Sequence, residues 1–320
     1  MEIKKSEITR WAAMGPRAAF GMAVLKLYEE EPDFFVMSAD LGSSSGLARF
    51  YSKYPDAFVN VGIAEQNLIG VAAGLAKDGT PVFATSFAPF ISMRASEQIR
   101  MNMGYMSLNI KAVGLGSGLA MNTLGASHFG LEDMAVMRTI PGMTVLCPSD
   151  GLQIAKCVEA SKHYDGPVYI RLSGGADIIY EDDFDYEIGK AIITKQGNDV
   201  AFIATGSIIS QTLKAADLLE EKGITCKVID MHTVKPLDKD ILNSLTEYKL
   251  IVPVEEHNIF GGLGSAVAEY YANRKERPRQ LMLGVNDFYP HPGKYEYLLN
   301  ECGLTPEKIS ERVMETYAEG

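Results

Sequence analysis

The sequence predicts an α/β protein with two domains, each built on a mostly parallel sheet flanked by helices. Its 320 residues exceed what one hydrophobic core usually organises, since single cores stop growing at roughly 250–300 residues. Short apolar runs typical of buried strands alternate with longer segments whose apolar residues recur every three or four positions, as in helices. An acidic stretch at residues 180–187 separates two such series.

The first series predicts a domain over residues 1–180. Strands are expected at 34–37, 82–83, 110–113, 144–146 and 168–170, and helices at 15–30, 65–76, 92–101 and 151–162. The strands are short and apolar, and helical segments lie between them. This alternation favours parallel pairing, because a helix between two strands returns the chain to the same end of the sheet.

The second series predicts a smaller domain over residues 191–320, with residues 181–190 as the linker. Strands are expected at 200–205, 225–229 and 250–254, and helices at 210–222, 238–245 and 264–271. The same strand and helix alternation favours a second mostly parallel sheet.

Composition and charge exclude several classes of function. With 30 basic and 41 acidic residues the net charge is −11, which repels nucleic-acid phosphates and anionic membrane surfaces. The four cysteines form no CxxC pair, so neither a zinc cluster nor a disulfide framework is indicated. Acidic residues interrupt the N-terminal region where a signal peptide would be apolar, and no run approaches the roughly 18 residues of a membrane span. A cytoplasmic protein is expected.

The glycine-rich stretches fail the usual tests for nucleotide binding. GLGSAV at 262–267 and GLGSGL at 114–119 both lack the third glycine of the dinucleotide fingerprint. The sequence has no Walker A motif, HExxH motif, EF-hand loop or GxSxG elbow. The common ATP-, NAD- and metallohydrolase-type activities are therefore not indicated.

A first informative segment is VNVGIAEQN at residues 59–67, where a strand end runs through Gly62 into a helix that begins near Glu65. This order places a carboxylate on a helix N-terminus. The helix dipole favours acidic residues in first turns, so position alone also fits a purely structural Glu65.

A second segment is TSFAPFISMR at residues 85–94, which follows a strand and opens a helix. Phe87, Phe90 and Met93 form an apolar stripe at three-residue spacing, a pattern that most often means core packing. At the carboxyl end of a parallel strand such an aromatic can instead stack on a planar ligand. Both interpretations are open at this point.

A third segment, residues 114–130, reads GLGSGLAMNTLGASHFG and is called the glycine-rich segment below. It follows a strand and carries His128 ahead of the acidic pair Glu132 and Asp133. Long irregular segments of compact domains are usually functional. His128 is either a bonded structural residue or a proton shuttle and substrate donor.

In this order and spacing, the three segments resemble the C-terminal half of transketolase over nearly the whole chain. GIAEQN and TSFAPF resemble the thiamine-diphosphate pyrimidine-binding domain of transketolases and of 2-oxo-acid dehydrogenase beta subunits. DMHTVKPLD at 230–238 and VEEHNIFGGLGS at 254–265 resemble the C-terminal domain that follows it. The resemblance implies ketol transfer between a ketose and an aldose, each free or phosphorylated.

The resemblance also implies roles for individual residues. Glu65 is expected to hydrogen-bond the aminopyrimidine ring of thiamine diphosphate, so that the exocyclic amine becomes a base. Phe90 is expected to stack on that ring. His128 is expected to face the sugar hydroxyls. Further expected contacts are to the cofactor, from Phe87, Met93, Asp40 and Ile63, and to the substrate phosphate, from Arg17 and Ser44.

Two departures from the family pattern bear on function. Gly116, Leu124 and Gly174 align where transketolases usually carry a second histidine, an aspartate and a second phosphate-binding arginine, which puts ordinary pentose-phosphate specificity in doubt. The chain also has no GDG motif for the Mg²⁺ (or Ca²⁺) that neutralises the diphosphate.

The missing diphosphate domain must then come from another polypeptide, an N-terminal transketolase subunit, in an expected α2β2 assembly. A 2-oxo-acid dehydrogenase beta subunit and a non-catalytic α/β interface subunit are the alternatives. No metal ligand is assigned to this chain.

Overall fold

The computed structural model describes residues 1, 3–175 and 177–319 and contains two sheets. The strands are β1 Phe35–Ser38, β2 Phe58–Asn60, β3 Val82–Phe87, β4 Ile110–Leu115, β5 Thr144–Leu146, β6 Val168–Leu172, β7 Ile192–Lys195, β8 Val200–Ala204, β9 Cys226–Asp230, β10 Thr233–Lys235, β11 Leu250–Asn258, β12 Arg279–Gln280 and β13 Leu283–Val285.

Helices cover the faces of both sheets. They are α1 Ile8–Ala12, α2 Pro16–Glu30, α3 Ala48–Lys53, α4 Glu65–Ala76, α5 Ser96–Ile99, α6 Asp133–Thr139, α7 Gly151–His163, α8 Ile209–Glu220, α9 Lys239–Asn243, α10 Leu263–Tyr271, α11 Tyr295–Glu301 and α12 Pro306–Ala318. Shorter 3₁₀ and π-helical turns lie between some of these elements.

The first sheet has the strand order β10-β5-β6-β4-β3-β1-β2. Strands β1 to β6 all pair in parallel, and β3, β4, β5 and β6 are buried along almost their whole length. Continuous burial explains why these strands read as unbroken apolar runs in the sequence. The predicted α/β fold with a mostly parallel sheet is confirmed for this half.

The second sheet has the order β12-β11-β8-β9-β7, with β13 also paired to β11. Its pairings are parallel except for β7, which runs antiparallel to β9 at one edge. Helices α8 and α12 pack together beside it, because apolar residues of both enter the same core. The second predicted α/β unit is therefore also confirmed.

The two halves of the chain are joined by the pairing of one strand and by a common apolar cluster. Strand β10 comes from the second half of the chain but pairs antiparallel with β5, with Thr233 opposite Leu146. One apolar cluster joins residues of the first sheet, such as Val145, to residues of the second, such as Ile203 and Ile229. Among the described residues, neither helix nor strand lies between Leu172 and Ile192. The predicted domain limits at 180 and 190 stay a prediction.

A buried polar cluster centred on Asp230 lies where the two halves meet. Its Oδ2 accepts hydrogen bonds from Ser149 Oγ at 3.0 Å, Gln153 Nε2 at 3.0 Å and Tyr180 Oη at 2.7 Å. Burial raises the pKa of Asp230 to about 7, although these three donors oppose the shift. The nearby carboxylate of Asp150 raises the pKa further. Asp230 thus binds a proton more tightly in the folded chain than in the unfolded chain.

This raised pKa gives stability a pH dependence of defined sign. Stabilisation by protonated Asp230 is complete below the pKa of an unfolded aspartate, about 3.9, and is lost as pH rises through about 7. The wild type should lose this stabilisation between pH 4 and pH 7, whereas Asp230→Asn, which cannot titrate at this position, should not. We therefore expect the unfolding free energy of Asp230→Asn to rise relative to that of the wild type over this range. Chemical denaturation across this range measures it, with Asp287→Asn on the exposed surface as the control. An unchanged difference would contradict the assignment.

Candidate active site

The predicted site segments all follow the carboxyl ends of neighbouring parallel strands. Asp40 comes directly after β1, Glu65 after β2, Phe90 after β3 and His128 after β4. Because β2, β1, β3 and β4 are adjacent and parallel, these segments meet at one edge of the sheet. Ligands of open α/β sheets bind at this edge.

Glu65 is the first residue of α4, and its side chain is only 3% exposed. Its Oε1 accepts a hydrogen bond from Ser86 Oγ at 3.2 Å, and its Oε2 accepts one from Arg94 Nη1 at 2.8 Å. A carboxylate buried to this degree needs such partners, because an unpaired buried charge is very costly. The Arg94 side chain, which supplies the balancing charge, is 49% exposed.

A π-helical turn over Phe90–Arg94 brings this arginine to the carboxylate. In the wider turn the Ala95 N–H donates to the Phe90 carbonyl five residues earlier, at 3.3 Å. The Arg94 guanidinium lies over the Phe90 ring, 4.3 Å from its centroid. π-Helical turns are rare and occur frequently at functional sites.

The prediction of one regular helix over residues 92–101 is accordingly wrong in detail. The chain forms the π-helical turn, then α5, then a second π-helical turn over Arg100–Tyr105. Apolar spacing does not distinguish α from π turns over so short a segment.

Three aromatic rings form a small cluster beside Glu65. The His128 ring lies 5.2 Å from Phe90 and 5.8 Å from Phe87, and the two phenylalanine rings lie 5.9 Å apart, all edge to face. His128 Nδ1 shares a hydrogen bond of 2.9 Å with Ser127 Oγ. The structure thus brings together residues that the sequence separates by about 40 positions.

Other predicted cofactor residues lie on the surface around this cluster. Met93 belongs to the same π-helical turn, and Ile63 precedes Glu65 by two residues and is 79% exposed. Further along the chain from Met93, the side chains of Met101, Tyr105 and Met106 are also exposed. Exposed side chains of this size mark interaction surfaces when they cluster.

A separate cavity of about 310 Å³ is lined by Asp40 and Ser44, together with Tyr51, Phe58 and Asn60. Asp40 has a positive φ of 58°, which is uncommon for a residue other than glycine. Asn60 stabilises this turn, because its Oδ1 accepts from the backbone N–H groups of Asp40 and Gly62, each at 3.0 Å.

Asn60 was not predicted as a site residue, although its place at the end of a strand, two residues before Gly62, was a usable signal.

The last predicted substrate residue, Arg17, is exposed in the first turn of α2.

At two of the positions that depart from the family pattern, Gly116 and Gly174, a side chain would come into close contact with neighbouring residues. Gly116 has a φ of 63°, and a Cβ there would lie 2.6 Å from the Met121 sulfur. A Cβ on Gly174 would lie 3.0 Å from the Ala120 side chain, so a long cation at this position would displace the glycine-rich segment. Leu124 is half-exposed on the same segment.

His257 lies outside this site. Its ring is fully buried, and burial lowers the pKa of His257 to about 4, so the imidazole is neutral at physiological pH. Over residues 1, 3–175 and 177–319, no group of His, Cys, Asp and Glu side chains could hold a metal ion. None of the helices in the same described ranges is long and apolar enough to cross a bilayer.

Comparison with known proteins shows the family of the chain. A family model of the transketolase pyrimidine-binding domain matches residues 12–176, and a model of the transketolase C-terminal domain matches residues 189–309. The chain belongs to the transketolase family, as its sequence motifs indicated. Within that family it corresponds to the C-terminal section, which split transketolases make as a separate subunit.

Individual relatives support this placement. A Methanocaldococcus jannaschii protein named for the transketolase C-terminal section is 40% identical over 94% of this chain and 96% of its own length. A 6-deoxy-6-sulfo-D-fructose transketolase subunit from Clostridium sp. (strain MSTE9) is 36% identical over 89% of each chain. A solved structure of a split-gene transketolase, described as an inactive β4 tetramer, superposes with a TM-score of 0.88 at 38% identity. It covers 95% of this chain and 99% of its own.

The ion pair between Arg94 and Glu65 predicts an energetic coupling. Arg94→Met should destabilise the chain by about 1 kcal/mol at neutral pH, because a buried carboxylate loses its cation while the exposed arginine limits the effect. The loss should largely disappear in a Glu65→Gln background. Urea denaturation of the four variants measures the coupling. The exposed Arg100 and Glu97 pair on the following turn is the control and should couple less. Additive effects at Arg94 and Glu65 would contradict the interaction.

Proposed function

We propose that the chain is the pyrimidine-binding subunit of a split, thiamine-diphosphate-dependent transketolase. It would transfer a two-carbon ketol unit from a ketose, free or phosphorylated, to an aldose. The observation that carries the proposal is the arrangement of Glu65, Phe90 and Arg94. A buried carboxylate and an aromatic face converge on one planar, nitrogen-bearing group.

The residues present fit the aminopyrimidine ring of the cofactor. The Arg94 guanidinium is planar, donates to Glu65 at 2.8 Å and lies over Phe90 at 4.3 Å. An aminopyrimidine offers the same two features, a flat π-face and polar nitrogens at its edge. Since Arg94 is half-exposed, it can leave this place without opening the core.

Thiamine diphosphate, when bound, would supply a nucleophilic carbon and an electron sink for cleavage of the carbon–carbon bond. The task of Glu65 is to hold a proton at the pyrimidine nitrogen, so that the exocyclic amine can act as the base. Ser86 fixes the carboxylate by its hydrogen bond of 3.2 Å. Phe87, Phe90, Met93 and Ile63 would complete the apolar surroundings of the ring, and Asp40 would lie near the cofactor.

His128 would assist proton movement at the sugar hydroxyls. Its ring lies against Phe90, and Ser127 holds its Nδ1, which leaves Nε2 as the group for the substrate. Arg17 and Ser44 would contact an anionic end of the sugar. The sulfonated sugar in the name of one relative agrees with anionic substrates other than phosphates.

A partner subunit would hold the diphosphate and Mg²⁺. The absence of a GDG motif from the sequence supports this division. The exposed apolar side chains of Ile63 and Met93, on segments that follow the carboxyl ends of β2 and β3, support a protein partner there. The proposed assembly is α2β2, with each active site between unlike chains.

Replacing Glu65 by glutamine tests the catalytic assignment. In the complex reconstituted with the partner, Glu65→Gln should lower turnover by about 10²- to 10⁴-fold, because the amide cannot exchange a proton with the pyrimidine. Steady-state kinetics measures the loss, and calorimetry with thiamine diphosphate separates it from weak cofactor binding. Glu311→Gln on the exposed surface of α12 is the matched control. Near-normal turnover of Glu65→Gln would refute the role.

Reconstitution tests the split site itself. We expect no turnover from this chain alone or from the partner alone, and ketol transfer when both are combined with thiamine diphosphate and Mg²⁺. Phosphorylated, sulfonated and free ketoses should be compared as donors, with product formation followed by chromatography. Turnover by the isolated chain would refute the split site. Reduction of a lipoyl domain, without sugar-dependent transfer, would instead support a 2-oxo-acid dehydrogenase subunit.

A further inference from the structure

We infer that the C-terminal half of the chain fixes the shape of the glycine-rich segment, and that Glu256 is a positioning residue for His128. The inference rests on the function proposed above for His128. It assigns a task at the site to the C-terminal half of the chain.

Glu256 connects the second sheet to the glycine-rich segment directly. It lies on β11 and is only 1% exposed. Its Oε1 accepts a hydrogen bond from the Leu119 N–H at 2.5 Å, and its Oε2 accepts one from Tyr295 Oη at 2.5 Å. Both carboxylate oxygens therefore have fixed partners, one of them in the backbone of the segment that carries His128. Because a buried polar group left without a partner is costly, both contacts hold the segment firmly to the carboxyl group.

Backbone contacts close the segment into a loop at the same place. Gly118 and Gly130 exchange both hydrogen bonds of an antiparallel bridge, at 2.9 and 3.0 Å. The buried Arg171 donates from Nη2 to the carbonyls of Gly130, at 3.0 Å, and Glu256, at 2.8 Å. The Asn258 N–H donates to the Leu131 carbonyl at 2.9 Å. The two ends of the loop are thus attached to β11.

Apolar packing holds the loop on both sides of His128. Leu119, Phe129 and Leu131 are buried in the core cluster of the second sheet, with Phe202 and Val252. Phe129 is the neighbour of His128 in the chain, and its position sets the direction in which the histidine leaves the backbone. His128 itself lies against the aromatic rings of the first half.

Gly118 shows how closely the loop and the carboxylate fit. Its φ is 66°, and a Cβ on this residue would lie 2.4 Å from Glu256 Oε1. A side chain here would push the carboxylate away from the Leu119 N–H. The glycine therefore permits the approach on which the positioning depends.

The neighbouring Glu255 provides a matched control. It is equally buried, at 1% exposed, and it also accepts two backbone hydrogen bonds, from Leu263 at 2.7 Å and Gly264 at 2.8 Å. Both donors belong to α10 of its own half. Glu255→Ala therefore removes a comparable buried carboxylate without removing a hydrogen bond to the loop.

The test compares Glu256→Ala with Glu255→Ala in the reconstituted enzyme. We expect Glu256→Ala to lower kcat/KM for the aldose on the order of 10²-fold, because a reacting group displaced by about 1 Å loses that much. Adding His128→Ala to Glu256→Ala should cause little further loss. Glu256→Gln should restore most of the activity, since its amide oxygen still accepts from the Leu119 N–H. If the loss of kcat/KM in the double variant instead equals the product of the losses in Glu256→Ala and His128→Ala, the two residues act independently and the inference is overturned.

A second measurement does not depend on activity, and its Tyr295→Phe variant keeps the test valid if Glu256→Ala does not fold. In the full chain, hydrogen exchange of peptides covering residues 116–130 should be faster in Glu256→Ala and in the milder Tyr295→Phe than in Glu255→Ala. Unchanged exchange in both would overturn the inference. Full activity of Glu65→Gln would refute the proposed function instead, whatever the exchange rates show.

Discussion

The buried guanidinium of Arg171 is the point at which both halves of the chain and the glycine-rich segment meet. It pairs with Asp133 at 3.0 Å and also donates to carbonyls on either side of the domain boundary. A buried cation without such partners would cost several kcal/mol. The position of β11, the closure of the loop and the start of α6 are therefore interdependent, because a large change at one of them removes a partner from the buried Arg171.

The chain contains a second buried charge that is balanced in a different way. Glu65 is paired with Arg94, which approaches from the surface and is half-exposed. The ion pair of Arg171 is enclosed by protein on all sides, whereas that of Glu65 faces outward at the carboxyl edge of the sheet. The Arg94 side chain can therefore move away from Glu65 without opening the core, whereas Arg171 cannot move away from Asp133 in this way.

The sequence predicted the α/β class, both sheets and most of the strands, because buried parallel strands and amphipathic helices have strong local periodicities. It also pointed to Glu65, Phe90 and His128 as site residues, because their segments follow strand ends and match the family motifs, and their roles at the site stay a prediction. It did not predict Arg94 as the partner of Glu65, since this depends on a π-helical turn. Nor did it predict Glu256, whose contact with Leu119 joins residues 137 positions apart.

Because β10 pairs with β5, the order in which the chain is synthesised affects how the first sheet is completed. The chain emerges from the ribosome with its N-terminal end first, so β5 forms the edge of the first sheet until residues 233–235 arrive to pair with it. An unpaired edge strand is a template for wrong pairing with other chains. A nascent chain that ends before residue 233 would therefore leave β5 as an unpaired edge strand. This favours keeping both halves on one polypeptide.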